Sequence, residues 1–205
     1  MSNDVTSFRE ACERLERAWW EYGRPPEHRL RPGLSDAEID ALLEPRGRQL
    51  SEELRAWWSW HDGSERFGEW YNDIPGVGPG PWLHLSLAQA LELEGYQRDS
   101  WDGLVARGDT ELADMSWKPG FMPFTHRVAK PNHLLVSELD GDAPNTVSLV
   151  TEMGIERDTP TLSFVDVLNA WAGMLESGAY AYEDGQWQPH DEMYLDPDPA
   201  RLLLG

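Results

Sequence analysis

Histidines, the side chains most often used for proton transfer and zinc binding, are scattered along this chain without a recognisable spacing. The six stand at positions 28, 61, 84, 126, 133 and 190, and no two of them form an HExxH zinc pair. His61, followed by Asp62 and Gly63, falls at the predicted end of a helix, where the helix dipole alone favours a histidine. His190 begins an acidic run in the tail, where a preformed set of metal ligands is not expected. We therefore predict no metal site and no histidine-based catalytic centre.

The other reactive groups also lack the partners that catalysis needs. Cys12 is the single cysteine, so no intrachain disulfide can form, and it lies in the first predicted helix with no base signature beside it. The stretch 76–80 is rich in glycine, but Pro79 interrupts it and the Lys-Ser/Thr ending of a phosphate loop is missing. Asp140-Gly141-Asp142 lacks the later ligands of a calcium loop. The sequence thus predicts a protein that is not an enzyme and holds no cofactor. Paired carboxylates and sugar-stacking tryptophans leave a carbohydrate-active enzyme as a distant alternative.

The charge balance restricts the class of partner. The formal net charge is −20, from 37 acidic and 17 basic residues. Residues 1–60 contribute −3 of this charge and residues 61–205 contribute −17. Such a field repels nucleic acid and anionic lipid headgroups, and it attracts basic proteins. We therefore expect a basic protein partner, and neither nucleic acid nor a membrane as a ligand.

The pattern of apolar residues predicts the compartment. Residues 1–22 carry charges throughout and contain no apolar run of the signal-peptide kind. No segment is long and apolar enough to span a bilayer. We expect a cytoplasmic protein whose 11 tryptophans lie mostly in the core.

The elements that must position any binding surface are helices in the first half of the chain and short strands in the second. Helices are predicted over 8–22, after the capping box Ser35–Glu38, from Ser51 to about His61, from Ser86 toward Leu104, and after Ser163. Strands are predicted over 121–125, 133–139 and 146–151, with a hairpin around 183–185. We interpret the Pro-rich stretch 23–33 as a linker and predict a loop over 67–82. Because strands and helices do not alternate as in βαβ units, the pattern predicts a single α+β domain with a mostly antiparallel central sheet and a closing amphipathic C-terminal helix.

Three segments together supply aromatic rings and carboxylates and are therefore candidates for the partner-binding surface. Rings supply desolvated anchor area, and acids steer a basic partner and pair with its Arg and Lys residues. The candidate residues are Glu69, Trp70, Tyr71, Asp73, Asp140, Asp142, Tyr180, Tyr182, Glu183 and Asp184. The alternative is that Trp70 and Tyr71 pack beneath their loop while the acids are merely solvated.

Two longer blocks and two shorter ones form a further pattern: Gly33–Leu43 continuing to Leu50–Gly63 with its His61-Asp62-Gly63 ending, Met122-Pro123-Phe124, Leu135–Asp140, and Pro160–Leu168 continuing to Leu175–Tyr180. Together these residues resemble the SUKH superfamily, the Smi–Knr family of bacterial immunity proteins and fungal cell-wall regulators. They stand in the family's order and cover most of residues 33–187. The chain departs from the pattern at Ser51, where the family usually has Pro, at Phe121, where Trp is usual, and at Glu138, where Asp is common.

The resemblance implies both a fold and a function. It implies a mixed α+β domain with a curved central sheet, here over residues 33–188, with a helix and linker over 1–32 before it and an acidic tail over 189–205 after it. It also implies an immunity protein that binds and neutralises a cognate toxin, many such toxins being nucleases. A nuclease active site is basic because it must hold phosphate, so an acidic inhibitor surface suits it. The alternative within the family is a regulatory scaffold with a non-toxin partner.

Overall fold

Six α-helices and ten β-strands make up the part of the chain that the structure, a computed structural model, describes. It describes residues 2–22, 30–64, 82–127, 130–139, 145–156, 162–183 and 186–189. The helices are α1 (Ser2–Tyr22), α2 (Asp36–Leu43), α3 (Glu52–Trp60), α4 (Leu87–Ala106), α5 (Thr110–Ser116) and α6 (Phe164–Glu176). The strands are β1 (Leu30–Pro32), β2 (His61–Ser64), β3 (Trp82–His84), β4 (Phe121–Arg127), β5 (Lys130–Glu138), β6 (Thr146–Thr151), β7 (Gly154–Ile155), β8 (Leu162–Ser163), β9 (Tyr180–Glu183) and β10 (Gln186–Pro189).

Serine side chains fix where four of the helices begin. Ser35, Ser86 and Ser163 each accept a hydrogen bond from the backbone N–H three residues later, and the side chain of that residue accepts one from the serine N–H. Ser51 accepts from the N–H of Leu54 in the same way, without the return bond. These contacts satisfy backbone donors that a helix start leaves unpaired. The helix starts predicted from the sequence at these serines are confirmed.

The central sheet is antiparallel in every described pairing. Its strand order is β3-β4-β5-β6-β7, and β8 pairs with β6 on the same edge. Two separate two-stranded pairs, β1 with β2 and β9 with β10, complete the architecture. Proline lies within β4 at Pro123, next to a register shift that ends at Thr125, the kind of irregularity at which an internal strand tolerates proline. The predicted α+β fold with an antiparallel sheet and a closing helix is confirmed.

Six short elements were not predicted, two of them the two-residue strands β7 and β8. Strand β1 forms inside the stretch interpreted as a linker, β2 follows α3 where only a helix stop was expected, and β3 begins at the end of the predicted loop. Helix α5 has seven residues and follows α4 after a turn in which Gly108 adopts a φ of 85°. Segments of two to seven residues carry too little periodicity to be recognised, so the elements that they pack against or pair with decide their structure.

Two apolar clusters lie on opposite faces of this one sheet. Leu135 and Leu149 face the main cluster, which also takes in buried residues of α1, α3 and α6. Their strand neighbours Leu134 and Val150 face the second cluster, with Trp117. Successive strand residues point to opposite faces, so the alternation follows from the pleat. Leu93 packs against both clusters, so the two belong to a single domain.

The first helix belongs to the main core although it precedes the segments that carry the family resemblance. Phe8 meets Phe164 of α6 edge to face at 5.0 Å, and Trp19 stacks on Trp60 of α3 at 5.4 Å. The fully buried tryptophans of the described residues are Trp19, Trp57, Trp58, Trp82, Trp117 and Trp171. Most of the large rings therefore stabilise the fold, as expected from their number, and are not available to a partner.

Candidate partner-binding surface

Most of the residues predicted to form the partner-binding surface lie outside the described residues, and one that is described is buried. Glu69, Trp70, Tyr71, Asp73, Asp140, Asp142 and Asp184 lie outside the described residues, and for Tyr182 and Glu183 only the backbone in β9 is described. Tyr180 is buried and belongs to the main core cluster. Its place on the binding surface is therefore a wrong prediction. The reason is that β9 follows α6 after a turn of three residues, which returns Tyr180 to the apolar face of that helix.

The His61-Asp62-Gly63 motif has a structural role. One carboxylate oxygen of Asp62 accepts a hydrogen bond from the backbone N–H of Leu87 at 2.8 Å, so it helps to begin α4. Nδ1 of His61 lies 3.1 Å from the carbonyl oxygen of Arg31 in β1. Gly63 has a φ of 78°, and a Cβ there would lie 2.3 Å from the backbone nitrogen of Ser86. The motif thus joins α3 and β2 to the start of α4.

Buried histidines are kept neutral by their surroundings. His84 in β3 is completely buried beside Trp57, with ring centroids 4.2 Å apart, and neither ring nitrogen has a hydrogen-bond partner among the described residues. Burial, and to a smaller extent the nearby His61, lowers the pKa of His84 well below its usual range. Burial also lowers the pKa of His126. Neither imidazole is exposed to a substrate, so these groups fit a core role.

The thiol and the carboxylates form no reactive cluster in the described part of the chain. Burial, reinforced by Glu16 and Glu13, raises the pKa of Cys12 well above its usual range, which keeps it a neutral thiol. No group of three or more His, Cys, Asp or Glu side chains is placed to hold a metal ion among the residues described. Within the same residues, no helix is both long and apolar enough to cross a membrane.

Arginines neutralise much of the charge on the N-terminal half. Arg14 of α1 makes a two-pronged pair with Glu176 of α6, and it donates a further bond to Asn169 at 3.0 Å. Arg55 bonds to Asp40, with Asp36 3.5 Å away. These pairs connect helices to each other, so the carboxylates involved are not free to meet a partner.

In α4, α5 and the β6–β7 turn, by contrast, acidic residues greatly outnumber arginines. Residues 87–116 and 145–156 contain nine acids and only two arginines, Arg98 and Arg107. Both arginines lie near acids of the same segment, Glu94 at 3.9 Å and Asp109 at 3.6 Å. Outside these two pairs, the exposed carboxylates include Glu92, Asp99, Asp102, Glu111, Asp114 and Glu152, which we name the acidic face. None of these six has an ion pair or hydrogen bond to a described residue.

Exposed apolar side chains occur on the same elements. Of the six large apolar residues exposed in the described chain, four lie on α4, α5 or the β6–β7 turn: Tyr96, Leu112, Met115 and Met153. Surface carboxylates next to exposed apolar side chains are the combination that attracts and then anchors a basic protein. The described residues of these elements therefore form a candidate surface for binding a protein.

Sequence reasoning missed these residues because it searched for aromatic rings. A signal was nevertheless present. Leu112, Met115 and Met153 each directly follow an acid, in the dipeptides Glu111-Leu112, Asp114-Met115 and Glu152-Met153. An exposed aliphatic residue next to an acid on a short helix or turn indicates a surface that the core does not use.

The chain matches no protein-family model and no curated protein sequence.

Proposed function

We propose that this protein binds a basic protein partner through its acidic face and thereby neutralises it, as a toxin-immunity protein does. The observation that carries the proposal is the acidic face, six exposed carboxylates on α4, α5 and the β6–β7 turn that have no ion pair to a described residue. An uncompensated surface of one sign raises the association rate of a partner of the opposite sign. A toxin nuclease carries such a basic surface because it must hold phosphate.

The family resemblance supports the same proposal from the sequence side. The residues that carry it fall in α2, α3, β4, β5 and α6, which together build the main core and the centre of the sheet. The residues that carry the resemblance therefore support the fold. The acidic face lies on other elements, namely α4, α5 and the β6–β7 turn. A protein that keeps a common core and varies its outer elements is suited to binding partners that differ from one chain to the next. A nuclease toxin acts in the cytoplasm, and an immunity protein against it would act there too.

The test is to express the protein encoded beside this gene, to measure its toxicity in a bacterial host, and to ask whether this chain relieves that toxicity. The association rate of the purified pair should fall at least about tenfold between 50 and 500 mM salt, because exposed charges are screened beyond about 10 Å at moderate ionic strength. At low salt, the acidic-face variant Glu92→Gln/Asp99→Asn/Glu111→Gln/Asp114→Asn should associate with the partner about tenfold more slowly than the wild-type chain does.

A matched control removes the same number of exposed carboxylates from the N-terminal half. The variant Glu10→Gln/Glu13→Gln/Glu21→Gln/Glu44→Gln should keep nearly the wild-type association rate. Equal rates for both variants, or tight binding without salt dependence, would count against the acidic face. A neighbouring product that neither binds nor is toxic would contradict the immunity role.

A further inference from the structure

We propose that one corner of the acidic face, built from α5 and the β6–β7 turn, is the docking site for a basic segment of the partner that carries an apolar side chain. The inference rests on the proposed function and narrows it to a small surface. We name this surface the acid–methionine corner and define it by the residues Glu111, Leu112, Asp114, Met115, Glu152 and Met153.

Backbone contact holds the two elements of the corner together. Gly154, the first residue of β7, approaches α5 so closely that a Cβ on it would lie 2.3 Å from the carbonyl oxygen of Met115. Met153 precedes this glycine at the tip of the turn, where the Thr151 hydroxyl accepts a 3.2 Å hydrogen bond from its N–H. Residues distant in sequence are therefore neighbours at a position that glycine alone permits.

The apolar side chains of the corner are unusually exposed. Leu112 is 54% exposed, Met115 41% and Met153 85%. An open depression of about 510 Å³ lies at the start of α5 and is lined by residues 108–112 and Met115. Methionine is flexible and polarisable, so it adapts to side chains of different shape and is over-represented on binding surfaces. The depression and the methionines thus offer room for an apolar anchor.

Charge decides which partner fits the corner. Each apolar residue follows a carboxylate, Glu111, Asp114 or Glu152, and none of these three has an ion pair or hydrogen bond to a described residue. No Lys or Arg occurs in α5 or in residues 145–156, and nearby Arg107 lies 3.6 Å from Asp109. A second copy of this chain, a nucleic acid or an anionic membrane would bring negative charge to this surface and be repelled. The occupant is therefore a Lys- or Arg-containing segment with an aliphatic or aromatic side chain.

The exposed side of α4 is the natural comparison surface. It carries Glu92, Tyr96 and Asp99 on one helical face, so it shares the acids and one exposed ring. These residues lie on one helix, and the depression at the start of α5 is not lined by any of them. This face supplies control substitutions of the same charge and chemistry.

The corner can be tested with a synthetic probe on the full chain. Methionine methyl groups labelled with ¹³C are followed by NMR during titration with a peptide of alternating Lys and Leu residues and with a Lys/Ser peptide of equal charge. We expect the Met115 and Met153 signals to shift with the Lys/Leu peptide at concentrations about tenfold lower than with the Lys/Ser peptide. Met122 and Met174 are buried in the core and serve as internal references.

Two pairs of variants separate charge from apolar contact. Glu111→Gln/Asp114→Asn/Glu152→Gln should weaken Lys/Leu peptide binding about tenfold, whereas Glu92→Gln/Asp99→Asn/Asp102→Asn should weaken it less than about threefold. Leu112→Ser/Met153→Ser should also weaken it about tenfold, and Tyr96→Ser should have little effect. All substitutions are at exposed positions, and circular dichroism with urea unfolding verifies that each variant folds.

The failure of the corner and the failure of the proposed function give different results. Peptide shifts at Met115 and Met153 that are insensitive to both corner variants would overturn the corner, and so would equal effects of the two charge variants. If the neighbouring gene product binds the wild-type chain and the corner variants bind it equally well, the corner is wrong while the proposed function stands. If that product does not bind at all, the proposed function fails, and the peptide titration still decides whether the corner captures basic, apolar segments.

Discussion

The Asp62 carboxylate accepts a hydrogen bond from the backbone N–H of Leu87, the first residue of α4, at 2.8 Å. The two residues are 25 positions apart, so this bond attaches β2 to a helix that the local sequence alone does not connect to it. The helix already has a complete capping box at Ser86, which satisfies a different N–H. Asp62 therefore adds a charged acceptor at the positive end of the helix dipole. The acidic face begins on this same helix.

Removing the Asp62 carboxylate should destabilise the fold. Asp62→Ala leaves the Leu87 N–H without its partner and should lower the free energy of unfolding by about 1–2 kcal/mol. The matched control is Asp109→Ala, since Asp109 also precedes a helix but its side chain makes no capping hydrogen bond. Urea unfolding of the two variants should show a loss for Asp62→Ala and a change within about 0.5 kcal/mol for Asp109→Ala. Equal losses would mean that the bond to Leu87 does not stabilise α4.

Glycine-to-alanine substitutions should have opposite effects at two positions. Gly63 combines a φ of 78° with a close approach to the Ser86 backbone, so Gly63→Ala should destabilise the protein by about 2 kcal/mol or more. Gly95 lies within α4 with nothing near the position of a new Cβ, so Gly95→Ala should stabilise it by about 0.5–1 kcal/mol. Thermal and urea unfolding measure both. A stabilised Gly63→Ala variant would contradict the described conformation at Gly63.

Acidification should destabilise the protein because of its buried histidines. His84 and His126 have folded-state pKa values below their usual range, so only the unfolded chain takes up their protons near pH 6. The contribution of these histidines to the free energy of unfolding should therefore be constant above about pH 7.5 and fall as the pH decreases from there, by up to about 1.4 kcal/mol per pH unit for each histidine. Urea unfolding at pH 7.5, 6 and 5 measures this slope. His84→Phe keeps a ring beside Trp57 and should reduce the slope, leaving the part due to His126. An unchanged slope would show that His84 is not the group responsible.

Two arginines should differ in importance because their carboxylate partners differ in burial. Arg48 bonds to Glu94, whose side chain is only 2% exposed, so Arg48→Ala should cost about 3 kcal/mol by leaving a buried charge poorly compensated. Arg98 Nη1 lies 3.9 Å from the same carboxylate and still compensates part of its charge. The expected loss of stability is therefore at the lower end of the range for breaking a buried ion pair. Arg14 and Glu176 are 38% and 37% exposed, so Arg14→Ala should cost about 0.5 kcal/mol after screening by solvent. Urea unfolding in low and high salt should also show greater salt sensitivity for the Arg14 pair. The reverse order of losses would contradict the described burial.

The parts of the fold that the sequence determined by itself are those specified within a few residues. The capping boxes at Ser35, Ser86 and Ser163 need only a serine and a polar side chain three positions later, so their helices could be placed without any tertiary contact. Strands β4, β5 and β6 carry long apolar or β-branched runs and were also recognised. The α+β class followed from these elements.

Tertiary structure alone decided the remaining elements and the shape of the candidate surface. Strands β1 and β2 pair only because Leu30 and Ser64 meet across 34 positions, and no local pattern of three or four residues signals such a contact. Tyr180 resembled a surface aromatic, yet the return of β9 onto α6 buries it. The acid–methionine corner exists because Gly154 allows β7 to touch α5 at Met115. Local sequence specifies how a segment begins and folds, but which segments become neighbours depends on the burial of apolar area from the whole chain.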